Sequence, residues 1–456
     1  TWARPEYRQY VDAWVRADDF NSGELAVKDK GELYLPRTNP LDNSQAAQRR
    51  YESYLKRATF FPVVSRTLRG MVGTAFRKDP QIDLPTGLQY AIDDIDGCGV
   101  SIYQQSQRAL NEVLLKDRCF LLVDYPPVEG GVSRADMATI RATVTLYRAE
   151  SVINWRMTNG KLSLVVIKEY AEIEDDLQVE TVERYRVLEL VDGYYTVSLY
   201  DKAGELVAEP RQPQDASGRR FAEITGCFVG STVNDVEIDS APMNDIIGMN
   251  LAHYQIYADW RKVLFLAANP QPVTSGLTQE WRDYLEKSGT MIGSDANLLL
   301  PVDGDFKWAQ INADQPLREE LTALQEQMVA VGAKLLEKGG ANVTARQVAS
   351  EEAAEHSVLS LACSNVSDAY ERCLEWMGMF MGASGKIEYR IATDYLQADI
   401  DPQMLQALVA AWQSGTIAKS DAREYLKRSG ILDPARTDED IDGESDANPP
   451  PVTLDG

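Results

Sequence analysis

Two histidines, His253 and His356, are the only imidazoles in the 456-residue chain, and five cysteines are its only thiols. A neutral imidazole can ligate a metal or act as a general base near neutral pH. Each histidine lies in a stretch whose apolar spacing predicts a long helix. Neither forms HExxH and no third ligand is suggested, so both read as helix residues. Cys98, Cys119, Cys227, Cys363 and Cys373 are odd in number, scattered and never arranged as CxxC. That pattern points to free, mostly buried thiols in a reducing compartment and argues against a zinc site.

The phosphate cradle GxxxxGK[ST] is absent, because Gly385-Lys386 is followed by Ile387 and lacks a glycine five residues earlier. Gly97-Cys98-Gly99 lacks the third glycine of a dinucleotide loop, and no GxSxG elbow occurs. The run Asp438-Glu439-Asp440-Ile441-Asp442-Gly443 matches half of an EF-hand loop, but position twelve is Pro449 instead of a bidentate glutamate. It reads as a solvated acidic tail. In a predicted helical hairpin, Asp401–Trp412 and Ser420–Arg428, the cations Lys419, Arg423, Lys427 and Arg428 lie beside Asp421 and Glu424. That mixed surface is not the basic stripe of a groove reader. No catalytic residue, metal or cofactor is expected; the enzymatic alternative is a metal-dependent nuclease built on scattered carboxylates.

Composition narrows the class further. Lys and Arg number 46 against 70 Asp and Glu, a net charge of -24, with 44% hydrophobic and 25% charged residues. These are the proportions of a folded protein, and the length suggests about three structural units. The longest apolar run, Val263–Ala268, has six residues, far short of the ~20 a membrane span needs. No signal-peptide core opens the chain. The acidity disfavours tight DNA wrapping, since DNA affinity comes mainly from Lys and Arg neutralising phosphates.

The elements follow from periodicity. Tyr51, Tyr54, Leu55, Ala58 and Phe61 predict a helix within residues 44–78, interrupted at Pro62. Another helix is expected over Leu88–Lys116, with a break at Gly97 and Gly99, before the strand Cys119–Tyr125. From Thr139 to Val229 the period is two, and Thr158-Asn159-Gly160 and Val191-Asp192-Gly193 mark hairpin turns. Long helices are expected over Met243–Ala268 and Pro316–Lys338, the latter with the stripe Leu317, Leu321, Leu324, Met328, Val331 and Leu335. Between them a short mixed module holds a small helix, Thr278–Lys287, and strands around Met291 and Leu298. A third helix is read over Ala345–Met381, then a strand over Lys386–Ile391. From Asp433 the tail has eight acids against one arginine and is expected to be disordered.

Two long helices flanking a small module make a hairpin that cannot bury both flanks alone, a problem solved by many copies side by side. In this order of units the chain resembles the portal proteins of tailed bacteriophages, in particular a portal-like family catalogued as a domain of unknown function. The resemblance covers about Asp18 to Leu432. Its most specific stretches are Glu52–Phe61 with Thr67–Lys78, and Asn250–Asp259 with Pro270–Gly276.

The resemblance implies an α+β, portal-like fold with long stem helices, a β-rich wing, a small clip and a helical crown. Residues 1–240 would be the wing, 241–268 the first stem helix, 269–314 the clip and 315–338 the second stem helix. Residues 339–345 would be the tunnel loop, 346–400 the long wing helix with a return strand, 401–432 the crown and 433–456 the tail. It implies a non-enzymatic homo-oligomer, typically of twelve copies, at one capsid vertex of the virion, assembled in the bacterial cytoplasm. Double-stranded DNA would pass through non-specifically during packaging and ejection. Its partners would be the large terminase, a head-tail adaptor, the major capsid protein and a scaffolding protein, with no membrane. Lys338, Gly339, Gly340, Ala341, Asn342, Val343 and Thr344 would line the channel, and Glu319, Glu320, Glu326 and Glu337 would be lumen or interface acids. Twelve copies at -24 each carry -288, which would let DNA slide where a basic wall would grip it. Another head-tail connector or scaffold protein is the structural alternative.

Overall fold

The computed structural model describes residues 2–37, 39–126, 140–175, 178–268, 271–275, 278–281, 283, 305–309, 315–334, 357–393, 418–428, 436–438 and 441–442. It is a mixture of helices and antiparallel sheets, which establishes the α+β class. The chain divides into two compact units, Thr1–Ile391 and Ala392–Gly456.

The centre of the first unit is strand β2 (Arg118–Asp124), an apolar run buried along nearly its whole length. It lies between β3 (Thr143–Arg148) and β9 (Gly226–Gly230), antiparallel to both. Helix α5 (Ile102–Lys116) and helix α8 (Val358–Met381) pack on this sheet. Ser101 starts α5 by accepting from the Gln104 N–H at 3.1 Å. Just before it, Asp96 Oδ1 accepts from the Cys98 and Val100 N–H groups. These local turns end the single helix expected from Leu88; only a 3₁₀ stretch, Thr86–Ile92, precedes the break.

A five-stranded meander follows the order β4 (Val152–Thr158), β5 (Lys161–Asp175), β6 (Gln178–Val191), β7 (Tyr194–Asp201) and β8 (Leu206–Arg211). Its two predicted turns hold. Asn159 and Gly160 have φ of 51° and 74°, and Asp192 and Gly193 have 52° and 81°, the left-handed pair that suits the twist of a two-residue hairpin. Strand β4 is not evident in the sequence because register shifts interrupt its alternation. The edge of β4 is covered by the N-terminal segment, where the Arg4 N–H donates to the Ile153 carbonyl and Asn154 Nδ2 to the Trp2 carbonyl.

Before this sheet come α1 (Pro5–Ser22), α2 (Glu24–Asp29), α3 (Gln45–Arg57) and α4 (Val63–Ala75). Of the kink or break that a proline imposes, the structure has the break: α3 ends at Arg57 and α4 begins after Pro62. Strands β1 (Gln81–Asp83) and β12 (Glu388–Arg390) pair antiparallel and close the body. Helix α8 begins at Val358, with Ser357 in extended conformation accepting from the Ser360 N–H at 3.1 Å. The cap interrupts the expected helix at Ser357, and its residues 345–356 lie outside the described residues.

In the second unit, helix α9 (Lys419–Arg428) carries Lys419 and Arg423, both of which donate to the Asp442 carboxylate. Asp442 is one residue of the acidic tail, most of which lies outside the described residues. Residues 401–412 lie outside the described residues.

Candidate functional site

The chemistry-bearing residues come first. His253 lies on helix α6 (Asn244–Ala268), buried. Its Nε2 is 3.1 Å from Gln325 Nε2 on helix α7 (Gln315–Lys334). With the amide donating, Nε2 accepts and the ring proton sits on Nδ1, which is buried without a partner. The ring stacks on Tyr257, with centroids 5.6 Å apart. Burial lowers its pKa, so it is neutral at pH 7. His253 is thus a packing residue between two helices. His356 lies outside the described residues. Among the described residues no cluster of His, Cys, Asp or Glu could hold a metal. All five cysteines are free, and Cys98 is exposed.

The arrangement that stands out is the helix pair itself. Helices α6 and α7 run antiparallel: His253 meets Gln325, and seven residues further from the tip Ile246 lies beside Gly332. A Cβ added at Gly332 would lie 3.9 Å from Ile246 Cδ1 and 3.3 Å from Thr67 Cγ2, so glycine lets α7 settle against α4 and α6 together. Beyond the helices the hairpin continues as a two-stranded ribbon. β10 (Gln271–Ser275) pairs antiparallel with β11 (Asp305–Ala309), Gln271 opposite Ala309 and Ser275 opposite Asp305. The ribbon was not expected from sequence; the strands read around Met291 and Leu298, and most of the small helix Thr278–Lys287, lie outside the described residues.

Burial differs along α6. Its first half is anchored: Ile246, Ile247, Tyr254 and Ala258 are buried, and Asn250 Nδ2 donates to the Phe61 carbonyl at 3.0 Å. Its last two turns, Val263–Ala268, are apolar, yet Phe265 is 41% and Leu266 37% exposed. A helix end that is apolar on several sides needs cover to be soluble. At ~1.5 Å per residue α6 is about 37 Å long.

On α7 the predicted stripe faces inward at Leu321, Leu324 and Met328, all buried. Glu319, Glu320 and Glu326 are exposed, and Val329 is 71% exposed on the same outer side. The acids are therefore available to a neighbour or to solvent. Glu337 and the expected channel loop, Lys338, Gly339, Gly340, Ala341, Asn342, Val343 and Thr344, lie outside the described residues.

Sequence reading passed over one feature, a cleft of about 410 Å³ between α3 and the last turns of α6. Tyr54 on α3 donates to Asp259 Oδ1 on α6 at 2.7 Å and fixes its floor. The Arg57 guanidinium lies 4.0 Å over the Phe265 ring, and Lys262 Nζ is 5.4 Å over Tyr54. The signal was present in the paired cations Arg49-Arg50 and Lys56-Arg57 on one short helix of an acidic chain.

Comparison with known proteins adds three findings. No curated protein matches the chain. A chain in a structure of the neck of an empty GTA particle, computed with C6 symmetry, aligns over 89% of this chain and 98% of that one, at 15% identity and a TM-score of 0.39. At that score the superposition establishes no common arrangement of elements. The profile of a family described as "Domain of unknown function (DUF4055)" matches residues 242–381, the span that opens at α6 and ends with α8.

Proposed function

We propose that the protein is a portal-type subunit, a structural protein that assembles into a ring around a DNA channel at one vertex of a phage head. The observation that carries this reading is the α6–α7 hairpin. Two long antiparallel helices lead into a narrow ribbon, and among the described residues the hairpin leaves Leu266 and Val329 exposed. Lateral association of copies would bury these residues, and closed rotation of a heterologous contact gives a ring. The match to the DUF4055 profile covers the same segment, in keeping with the family the sequence resembles.

In this reading α6 and α7 are the stem and β10–β11 form the base of the clip, where a packaging ATPase and later an adaptor dock. Residues 338–344 line the channel. The chain itself performs no catalysis, and a separate motor moves the DNA. The exposed acids Glu319, Glu320 and Glu326 face the lumen or the interface between copies. The test is native mass measurement with negative-stain imaging of the purified protein. A ring with a central hole is expected, about 610 kDa for twelve copies of 50.8 kDa. A small species that cuts DNA with added metal, and stops doing so with chelator, would replace this reading with a nuclease.

A further inference from the structure

Resting on the ring reading, we infer that the cleft between α3 and the end of α6 is the socket for a neighbouring copy, and that its occupant is the acidic outer face of that copy's α7. Three observations converge on this pairing.

The first is charge. The chain as a whole is strongly acidic, at -24. Yet the cleft is lined by Arg37, Arg50, Arg57 and Lys262 against one carboxylate, Asp42. A cationic patch on an acidic protein is matched best by another surface of the same protein.

The second is an unfilled valence. Arg57 is half-buried in the cleft, and among the described residues no carboxylate pairs with it. Its Nη1 donates to Ser53 Oγ at 2.7 Å, and its charge meets an aromatic ring, Phe265, instead of an acid. A guanidinium recognises a planar carboxylate through parallel N–H donors, and no described carboxylate engages those of Arg57. Arg50, 69% exposed at its side chain, pairs with Asp42 at 3.0 Å on the rim.

The third is shape and polarity. The cleft is walled by Tyr51, Tyr54, Phe265 and Leu266, with cations at the margin. That suits a helix face mixing acids with small and apolar side chains better than it suits a phosphate backbone. On α7 the outer side offers Glu319 and Glu326, two turns apart, with Ala323, Val329 and Ala330 between and beyond them. Because socket and plug lie on different surfaces of one chain, the contact is heterologous and propagates from copy to copy.

The test uses the full-length chain with Cys98→Ser to remove the exposed thiol. Assembly is followed against concentration by sedimentation. Reversing the socket (Arg50→Glu with Arg57→Glu) or the plug (Glu319→Lys with Glu326→Lys) should each raise the concentration for half-assembly about tenfold or more. Combining both reversals in one chain should restore assembly, an outcome that misfolding cannot produce. A chain carrying Ser53→Cys should form a disulfide with a differently tagged chain carrying Glu326→Cys. Normal assembly of both one-sided reversals, with no cross-link, would overturn the socket while leaving the ring standing. A parent protein that stays monomeric at every concentration would overturn both. Reversals that spare assembly but abolish retention of duplex DNA would reassign the cleft to phosphates.

Discussion

Lys116 Nζ lies 2.7 Å from Asp18 Oδ2, joining the end of α5 to α1 with the lysine side chain fully buried. Glu150 Oε2 at 2.9 Å and Glu112 Oε2 at 3.1 Å complete the shell around the ammonium. Burial by itself would lower the Lys116 pKa, but the three carboxylates together raise it, so the lysine stays charged. Asp18 and Glu112 are raised, first by burial and against the pull of Lys116. Among the described residues only Arg148, largely exposed and 3.6–3.9 Å away, offsets the surplus negative charge.

Removing the cation should be severe. Lys116→Met leaves three carboxylates facing one another and should cost about 3–5 kcal/mol at pH 7, measured by urea denaturation. Acidification should recover part of that loss, since protonation relieves the repulsion.

The same cluster gives the parent protein a pH dependence. Asp18 and Glu112 hold protons more tightly folded than unfolded, so their contribution is full below the ordinary values of 3.8 and 4.5 and is lost as pH rises through the elevated folded values. Glu112→Gln should flatten the stability profile from just above pH 4.5 toward neutrality. An unchanged profile in that variant would assign the slope elsewhere.

His253 works in the opposite sense. Its folded pKa is lowered by burial, so the stability tied to its neutral form is present above the ordinary value of 6.5 and is lost as pH falls below it. Hydrogen exchange in α7, corrected for intrinsic rates, should accelerate between pH 7.5 and 5.5, and His253→Leu should remove that acceleration. Exchange that is equally pH-dependent in the variant would exclude His253 as the cause.

Gly332 tests the docking of α7. Gly332→Ala places a methyl 3.3 Å from Thr67 Cγ2, and this tight contact is offset by about 1 kcal/mol of helix propensity. Alanine should therefore stay within about 1 kcal/mol of the parent. Gly332→Leu should lose about 1–3 kcal/mol as overpacking lifts the helix. Thermal unfolding of the two variants separates the outcomes.

For the proposed channel loop, Gly339→Pro together with Gly340→Pro should impair DNA packaging or retention while ring assembly proceeds. Particles would be scored for DNA content beside the native mass of the purified variant. Full DNA content in the variant would remove the loop from the mechanism.

What the sequence determined by itself was local. Pro62 had to kink or break the helix between residues 44 and 78, Asn159-Gly160 and Asp192-Gly193 had to turn hairpins, and the stripe Leu321, Leu324, Met328 had to face inward on a helix. Each follows from backbone sterics or a period of two or 3.6, which neighbouring residues fix among themselves. The start of α8 at Ser357 was also local, since a serine accepting from its N3 amide is a helix cap. It was hidden because the apolar spacing continues across it. Only the tertiary structure decided the rest. The central sheet joins β2 to β9 across about a hundred residues, and β1 to β12 spans about three hundred. The partner of His253 is Gln325, 72 positions away. The stacking of Arg57 over Phe265 joins α3 to α6 across about two hundred positions. Such contacts follow from how distant segments share one core, and no period in the sequence encodes that choice.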